Sequence, residues 1–168
     1  MSHFVLAVIS SEDEDIDSLL EQFSENWDRY RIGGRWNNFI KTKDGRYVNQ
    51  ARIKDIDFTP SKKEYDSSIR FWEVMVEGKT KEENEYFISF YKKEYYLEKY
   101  QNKENYAYAN SLFSTFAVLK ESEWYEQGEM LMFGISKNDD ESWELMYKER
   151  FIDTSDEESM LTIVDCHI

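Results

Sequence analysis

His3-Phe4-Val5-Leu6-Ala7-Val8-Ile9-Ser10 is apolar on both faces of an extended chain. That composition predicts a strand buried on both sides, near the middle of a sheet. The C-terminal stretch Leu161-Thr162-Ile163-Val164-Asp165-Cys166-His167-Ile168 has the same character. Period two puts Leu161, Ile163, Asp165 and His167 on one face and Thr162, Val164, Cys166 and Ile168 on the other. Antiparallel pairing of the two strands brings His3 towards Asp165, Cys166 and His167. The sequence therefore predicts an α+β fold: a single domain, 1–168, in which a mostly antiparallel sheet carries packed helices and the N- and C-terminal strands are adjacent. Helices do not alternate regularly with strands, which disfavours a doubly wound parallel sheet.

Working inward, an acidic run from Ser11 to Asp17 follows the first strand. Ile16, Leu19, Leu20 and Phe23 then fall on one face of an amphipathic helix, with Ser10 or Ser11 as its N-cap. Next comes Trp27-Asp28-Arg29-Tyr30-Arg31-Ile32-Gly33-Gly34-Arg35-Trp36. Paired glycines permit positive φ or close backbone approach, so a bend or bulge is expected at Gly33-Gly34, with 35–40 resuming as a strand. Lys43-Asp44-Gly45-Arg46 predicts a hairpin turn. Thr59-Pro60-Ser61 predicts a loop. Residues 69–77 read as a strand, Thr80 with Glu83 as a capping box, and about 81–100 as a long helix that breaks near Asn102 and continues to Leu112. A short strand over 115–119, a polar turn at 120–123 and an apolar run at 131–135 follow. Asn138-Asp139-Asp140 then caps a helix whose apolar face is Trp143, Met146, Tyr147 and Phe151.

The net charge of −14 repels nucleic acid phosphates, so direct nucleic acid binding is not expected. An acidic domain is either simply soluble or a partner for basic protein surfaces. Aromatics at 17% supply a core, while a mean hydropathy of −0.78 describes a polar surface. No apolar run is long enough to span a bilayer, and the apolar start is too short for a signal peptide. The single cysteine, Cys166, excludes an internal disulfide and suits a reducing cytoplasm.

Three groups of residues are candidates for chemistry. His3, His167 and Asp165 have the types needed to bind a divalent metal, or to act as acid and base with an orienting carboxylate; alternatively they are ordinary terminal residues. Arg35, between Gly34 and Trp36, suits a carboxylate or phosphate, with Trp36 or Trp27 stacking a base. The alternative is a structural salt bridge from Arg35 to Asp28 or Asp57. Glu126 and Glu129, around Gly128, complete an acidic site or serve a turn, and the turn is favoured. The candidate binding set is thus Trp27, Asp28, Gly33, Gly34, Arg35, Trp36, Asp57, Glu126 and Glu129. No metalloprotease, C-x-x-C, EF-hand or P-loop spacing occurs, and no G-x-S-x-G. Cys166 reads as packing.

Five blocks occur in order: M-S-H-F at the start, W-D-x-Y-x-I-G-G-R-W, Ala51 to Phe58 with I-D-F, E-W-Y-E-Q-G-E-M-x-x-F-G from Glu123 to Gly134, and L-T-I-V-D-C-H-I at the end. Together they resemble a phage- and prophage-encoded protein family, of no settled activity, that begins M-S-H-F and ends V-D-C-H-I. The resemblance omits about 59–113, which reads as a variable, largely helical insertion. It implies a mobile-element setting and a shared polar site at His3, Asp28, Arg35, Asp57, Glu126, Glu129, Asp165 and His167. The chain departs from the family at Tyr125, where members carry His, and at Leu131–Gly134, where they carry a tryptophan-rich run; if that histidine is a ligand or catalyst, the departure implies a chain that has lost part of the activity and kept only binding. The expected function is a phage- or prophage-derived accessory protein of the host cytoplasm. It would bind a host or defence protein with a basic surface, or a small phosphorylated ligand, in a counter-defence role. The alternatives are a metal-dependent hydrolase or nucleotide-modifying enzyme built on His3, Asp165 and His167, and a purely structural protein.

Overall fold

The two apolar terminal stretches form the middle of a sheet. β1 (His3–Ser10) pairs antiparallel with β10 (Met160–His167), placing His3 opposite His167 and Ser10 opposite Met160. Every residue of both strands is buried except His3 and Met160, which are partly so. The computed structural model describes residues 2–131 and 136–168, so the apolar run expected at 131–135 lies, beyond Leu131, outside the described residues. Chain contacts divide the protein into two compact units, Met1–Phe58 with Ser114–Ile168, and Thr59–Phe113.

In the first unit β2 (Arg29–Ile32) flanks β10, and β6 (Ala117–Lys120) flanks β1 with β7 (Glu123–Glu126) beyond it. β5 (Gln50–Arg52) also pairs with β10, further along. The β1–β6 pair is parallel and the other pairs of this sheet are antiparallel. Two small hairpins, β3 (Ile40–Lys41) with β4 (Tyr47–Val48) and β8 (Glu129–Met130) with β9 (Ser136–Lys137), stand apart from it.

Alternation along the strands makes two apolar faces. On one, Phe4, Leu6, Val8, Val164, Cys166, Ala117 and Leu119 pack with Leu20 of α1 (Ile16–Glu21), with Trp27, Tyr30 and Trp124 against them. Leu20 is fully buried, so its truncation to alanine would cost about 2–5 kcal/mol. Elsewhere in this unit α5 (Trp143–Tyr147) and the π-helical turn Lys148–Ile152 bury Trp143, Tyr147 and Phe151. The Trp143 indole donates to Thr115 O at 2.8 Å, so its polar atom is satisfied.

Several local expectations need correction. α1 is capped by Asp15, which accepts from Ser18 N, because Glu14 Oε2 already takes the Ser11 N–H in a preceding turn. Residues 35–40 do not resume as a strand: Gly34–Trp36 is a 3-10 turn, and pairing returns only at β3. The Asp44-Gly45 turn forms as expected, with Gly45 at φ +84°.

In the second unit, α2 (Lys62–Met75) replaces the strand expected at 69–77. Ser61 caps it through Glu64 N, and its Phe71 and Trp72 rings meet Tyr96 and Tyr106. Aromatic side chains at helical spacing, buried against other helices, override a strand-like composition. The expected capping box at Thr80 does not form. Instead Glu85 accepts a two-pronged bond from Arg70 and the Glu82 N–H, which holds the segment against α2 and out of a helix. The long helix shortens to α3 (Lys93–Tyr100), and α4 (Lys103–Ser111) begins at the Asn102 cap.

Candidate functional site

β2 decides which side chains meet. Its register sets Arg29 opposite His167, Tyr30 opposite Cys166 and Arg31 opposite Asp165. Directly opposed residues of an antiparallel pair share a face. Arg29 and Arg31 therefore stand on the face of His3, Asp165 and His167, while Tyr30 turns to the core.

The chain then doubles back through Gly33 (φ +71°) and Gly34 (φ +53°). This turn carries the Arg35 N–H to Asp165 Oδ2 at 3.0 Å. The other carboxylate oxygen, Oδ1, lies 2.7 Å from His3 Nδ1. Asp165, 7% exposed, thus spends both oxygens locally. With Nδ1 engaged, Nε2 is the His3 nitrogen left for a ligand.

His167 is in a different state. It is 6% exposed, and neither ring nitrogen has a hydrogen-bond partner among the described residues. Nδ1 stands 3.5 Å from the exposed Asp28 carboxylate, which is an attraction for a protonated ring rather than a hydrogen bond. Its ring meets His3 edge-on, with centroids 4.8 Å apart. A buried polar atom left unpaired costs about 1–3 kcal/mol. A ligand atom reaching this ring would recover that energy.

The arginines separate into two groups. Arg46, Arg52, Arg70 and Arg150 are each ion-paired. Arg29, Arg31 and Arg35 are exposed and have no ion pair among the described residues. All three belong to β2 and the turn after it. Arg29 and Arg31 were missed in the sequence; the signal was the alternation of Arg-Tyr-Arg matching that of Asp-Cys-His, which becomes meaningful only once the register is known.

Other expected site residues lie elsewhere. The Arg35 salt bridge to Asp28 or Asp57 does not form, and Asp57 pairs with Lys41 at 3.3 Å. Trp27 packs on the opposite, core face, edge-on to Tyr30, with its indole N–H on Leu20 O. Trp36 remains beside Arg35, partly buried. Glu126 lies on β7, at the far edge of the sheet from β2, and accepts from the Trp124 indole. Glu129 is held by Lys137 and Asn138 in the β8–β9 hairpin. Among the described residues no three His, Cys, Asp or Glu side chains converge to hold a metal ion, and no helix is long and apolar enough to cross a membrane.

Cys166 is buried, and burial, reinforced by the neighbouring Asp165 charge, pushes its thiol up to about 12. It is packing and not a nucleophile at neutral pH. Tyr125 donates to Glu123 and lies under the Arg150 guanidinium. What remains together is a face with two imidazoles, one carboxylate and the side chains of Arg29 and Arg31, to which Arg35 is joined through its main-chain N–H. Compared with known proteins, the chain matches no family model, no curated protein and no solved structure.

Proposed function

We propose that the protein binds a small phosphorylated ligand at the end of the sheet formed by Arg29, Arg31, Arg35, His3 and His167. The observation that carries this reading is the grouping of the three unpaired arginines beside two histidines, in a chain of net charge −14. Guanidinium forks match phosphate oxygens in geometry as well as charge. Trp36 offers a ring beside Arg35 for a base. The overall negative field works against a long polyanion and is tolerable for a ligand with a few phosphates. Together with the resemblance to phage and prophage proteins, this supports an accessory role in a host cytoplasm, sequestering a phosphorylated small molecule as counter-defence.

The test is a thermal-shift and calorimetric screen of nucleoside mono-, di- and triphosphates against the unphosphorylated nucleosides. Binding that requires phosphate, weakens with salt and disappears in Arg29→Ala/Arg31→Ala/Arg35→Ala is expected. Absence of any phosphate-dependent binding overturns the proposal.

The His3–Asp165 pair favours a second reading, in which the bound ligand is also turned over. A carboxylate-oriented imidazole is a general acid–base arrangement. Release of inorganic phosphate from the bound probe, lost in His3→Ala, distinguishes turnover from binding.

A further inference from the structure

A cavity of about 220 Å³ opens at the opposite end of β1 from His3, where β1 and β6 run parallel. Parallel neighbours leave a crevice beyond their carboxyl ends, a usual place for small ligands. Ser10 ends β1 and Glu14 follows it into this wall, Lys120 ends β6 and Glu121 follows it, and Asp156 and Ser159 come from the loop before β10.

Lys120 is the unusual member. It is 9% exposed, and its ammonium donates to Thr154 Oγ1 at 2.7 Å and to Phe151 O at 3.4 Å. An ammonium has three N–H donors, so one is left over. Among the described residues no carboxylate reaches it within ion-pair distance, although three carboxylates line the same cavity. Glu14 is folded back onto Ser11, and Glu121 and Asp156 are exposed. The cavity therefore has a buried lysine in its wall and carboxylates on its solvent side that do not pair with it. A buried charge held only by neutral oxygens is incompletely compensated.

The ligand that completes this arrangement carries an acid group for Lys120 and a positive group for Glu14, Glu121 and Asp156. Serine hydroxyls around the wall accept from one and donate to the other. A phosphate would place two charges among three carboxylates, and a simple amine would leave Lys120 unpaired. We infer that the cavity is a binding site for a small zwitterion of the free amino-acid class. It is independent of the arginine face, so failure of either reading leaves the other intact.

The experiment is an amide NMR titration of the full chain with the proteinogenic L-amino acids at millimolar concentration, followed by calorimetry on those that shift cavity residues. At least one amino acid should bind saturably and outcompete inorganic phosphate. Lys120→Met should weaken it about tenfold or more, the loss of one charge-assisted contact. Glu121→Gln, on the exposed side, should also weaken it without changing the unfolding midpoint, and decides the matter if Lys120→Met does not fold. The proposal is overturned if no amino acid binds, if phosphate binds as well as the amino acid, or if Glu121→Gln leaves the affinity unchanged.

Discussion

Gly34 lies against Asp165 with no room for a side chain. A Cβ on Gly34 would stand 2.4 Å from both Cβ and Oδ2 of Asp165. The bend therefore fixes the carboxylate, and the carboxylate fixes the His3 ring. Gly34→Ala is expected to destabilise the protein by about 2–4 kcal/mol, combining a left-handed φ with a clash against a buried group. Gly45, at φ +84° with nothing within 4 Å, is the control. Gly45→Ala should cost about 1 kcal/mol, for backbone conformation alone. Urea unfolding of both variants measures the difference, and equal costs would remove the contact with Asp165 as the reason for glycine.

Arg29, Arg31 and Arg35 are exposed and unpaired, so replacing each by alanine should leave unfolding free energy within about 0.5 kcal/mol. Affinity for a nucleotide probe should instead fall about tenfold or more per residue, since hydrogen bonds to charged groups contribute about 1.5–3 kcal/mol. Calorimetry across a salt series should give a shallower salt dependence for each variant. A loss of stability without a loss of binding would reverse the assignment.

His167 carries two unsatisfied ring nitrogens in a buried position. Replacing an unpaired polar group by an apolar one of similar shape is near neutral or stabilising. His167→Phe should therefore match or exceed the parent stability by up to about 2 kcal/mol while weakening the probe. Denaturant midpoints and calorimetry on the same samples check both halves.

The Cys166 thiol, pushed up to about 12 by burial, should resist an aromatic disulfide reagent at neutral pH until the protein unfolds. The sign of the alkaline effect follows from a folded value above the unfolded one. The contribution is complete below about 9 and is lost as pH rises from there towards about 12. Cys166→Ala should flatten that part of the stability profile.

In the helical unit, the Arg70 guanidinium and then the Glu82 N–H hold the Glu85 carboxyl down to about 2. A depressed carboxylate stabilises above its unfolded value and loses that contribution as pH falls through the folded one. Protection from hydrogen exchange at 80–87, taken relative to the intrinsic rate at each pH, should fall between about pH 4.5 and 2 in the parent. Glu85→Gln should exchange fast already at neutral pH and show little further change.

The adjacent terminal strands and the Gly33-Gly34 bend were legible because their signals are local: unbroken apolar runs and two consecutive residues free to adopt positive φ. The helix at 62–75 was not, because Ile69, Phe71, Trp72 and Val74 have strand-like composition and its state is decided by distant Tyr96 and Tyr106. Of the site, His3, Asp165, His167 and Arg35 could be named from the sequence. Arg29 and Arg31 could not, since only the register of β2 against β10 puts them on that face. Trp27 was assigned to the site by proximity in sequence, but it precedes β2, outside the strand's alternation, and packs on the core side against Tyr30 and Leu20.

The main chain at Ser2 and Ile168 exchanges two hydrogen bonds of 3.0 Å, so the strands that meet at the centre of the sheet have their outer ends at the same place. Tension applied between residues 2 and 168 would load the β1–β10 ladder one rung at a time, as in opening a zip, rather than shearing all rungs together. The first rung to part would be that of Ser2 and Ile168, followed by the pairing of His3 with His167. Mechanically, a deeply buried seam of the molecule is thus the one that a pull on its ends opens rung by rung, and the face of His3, Asp165 and His167 would be dismantled before the far end of the ladder is disturbed.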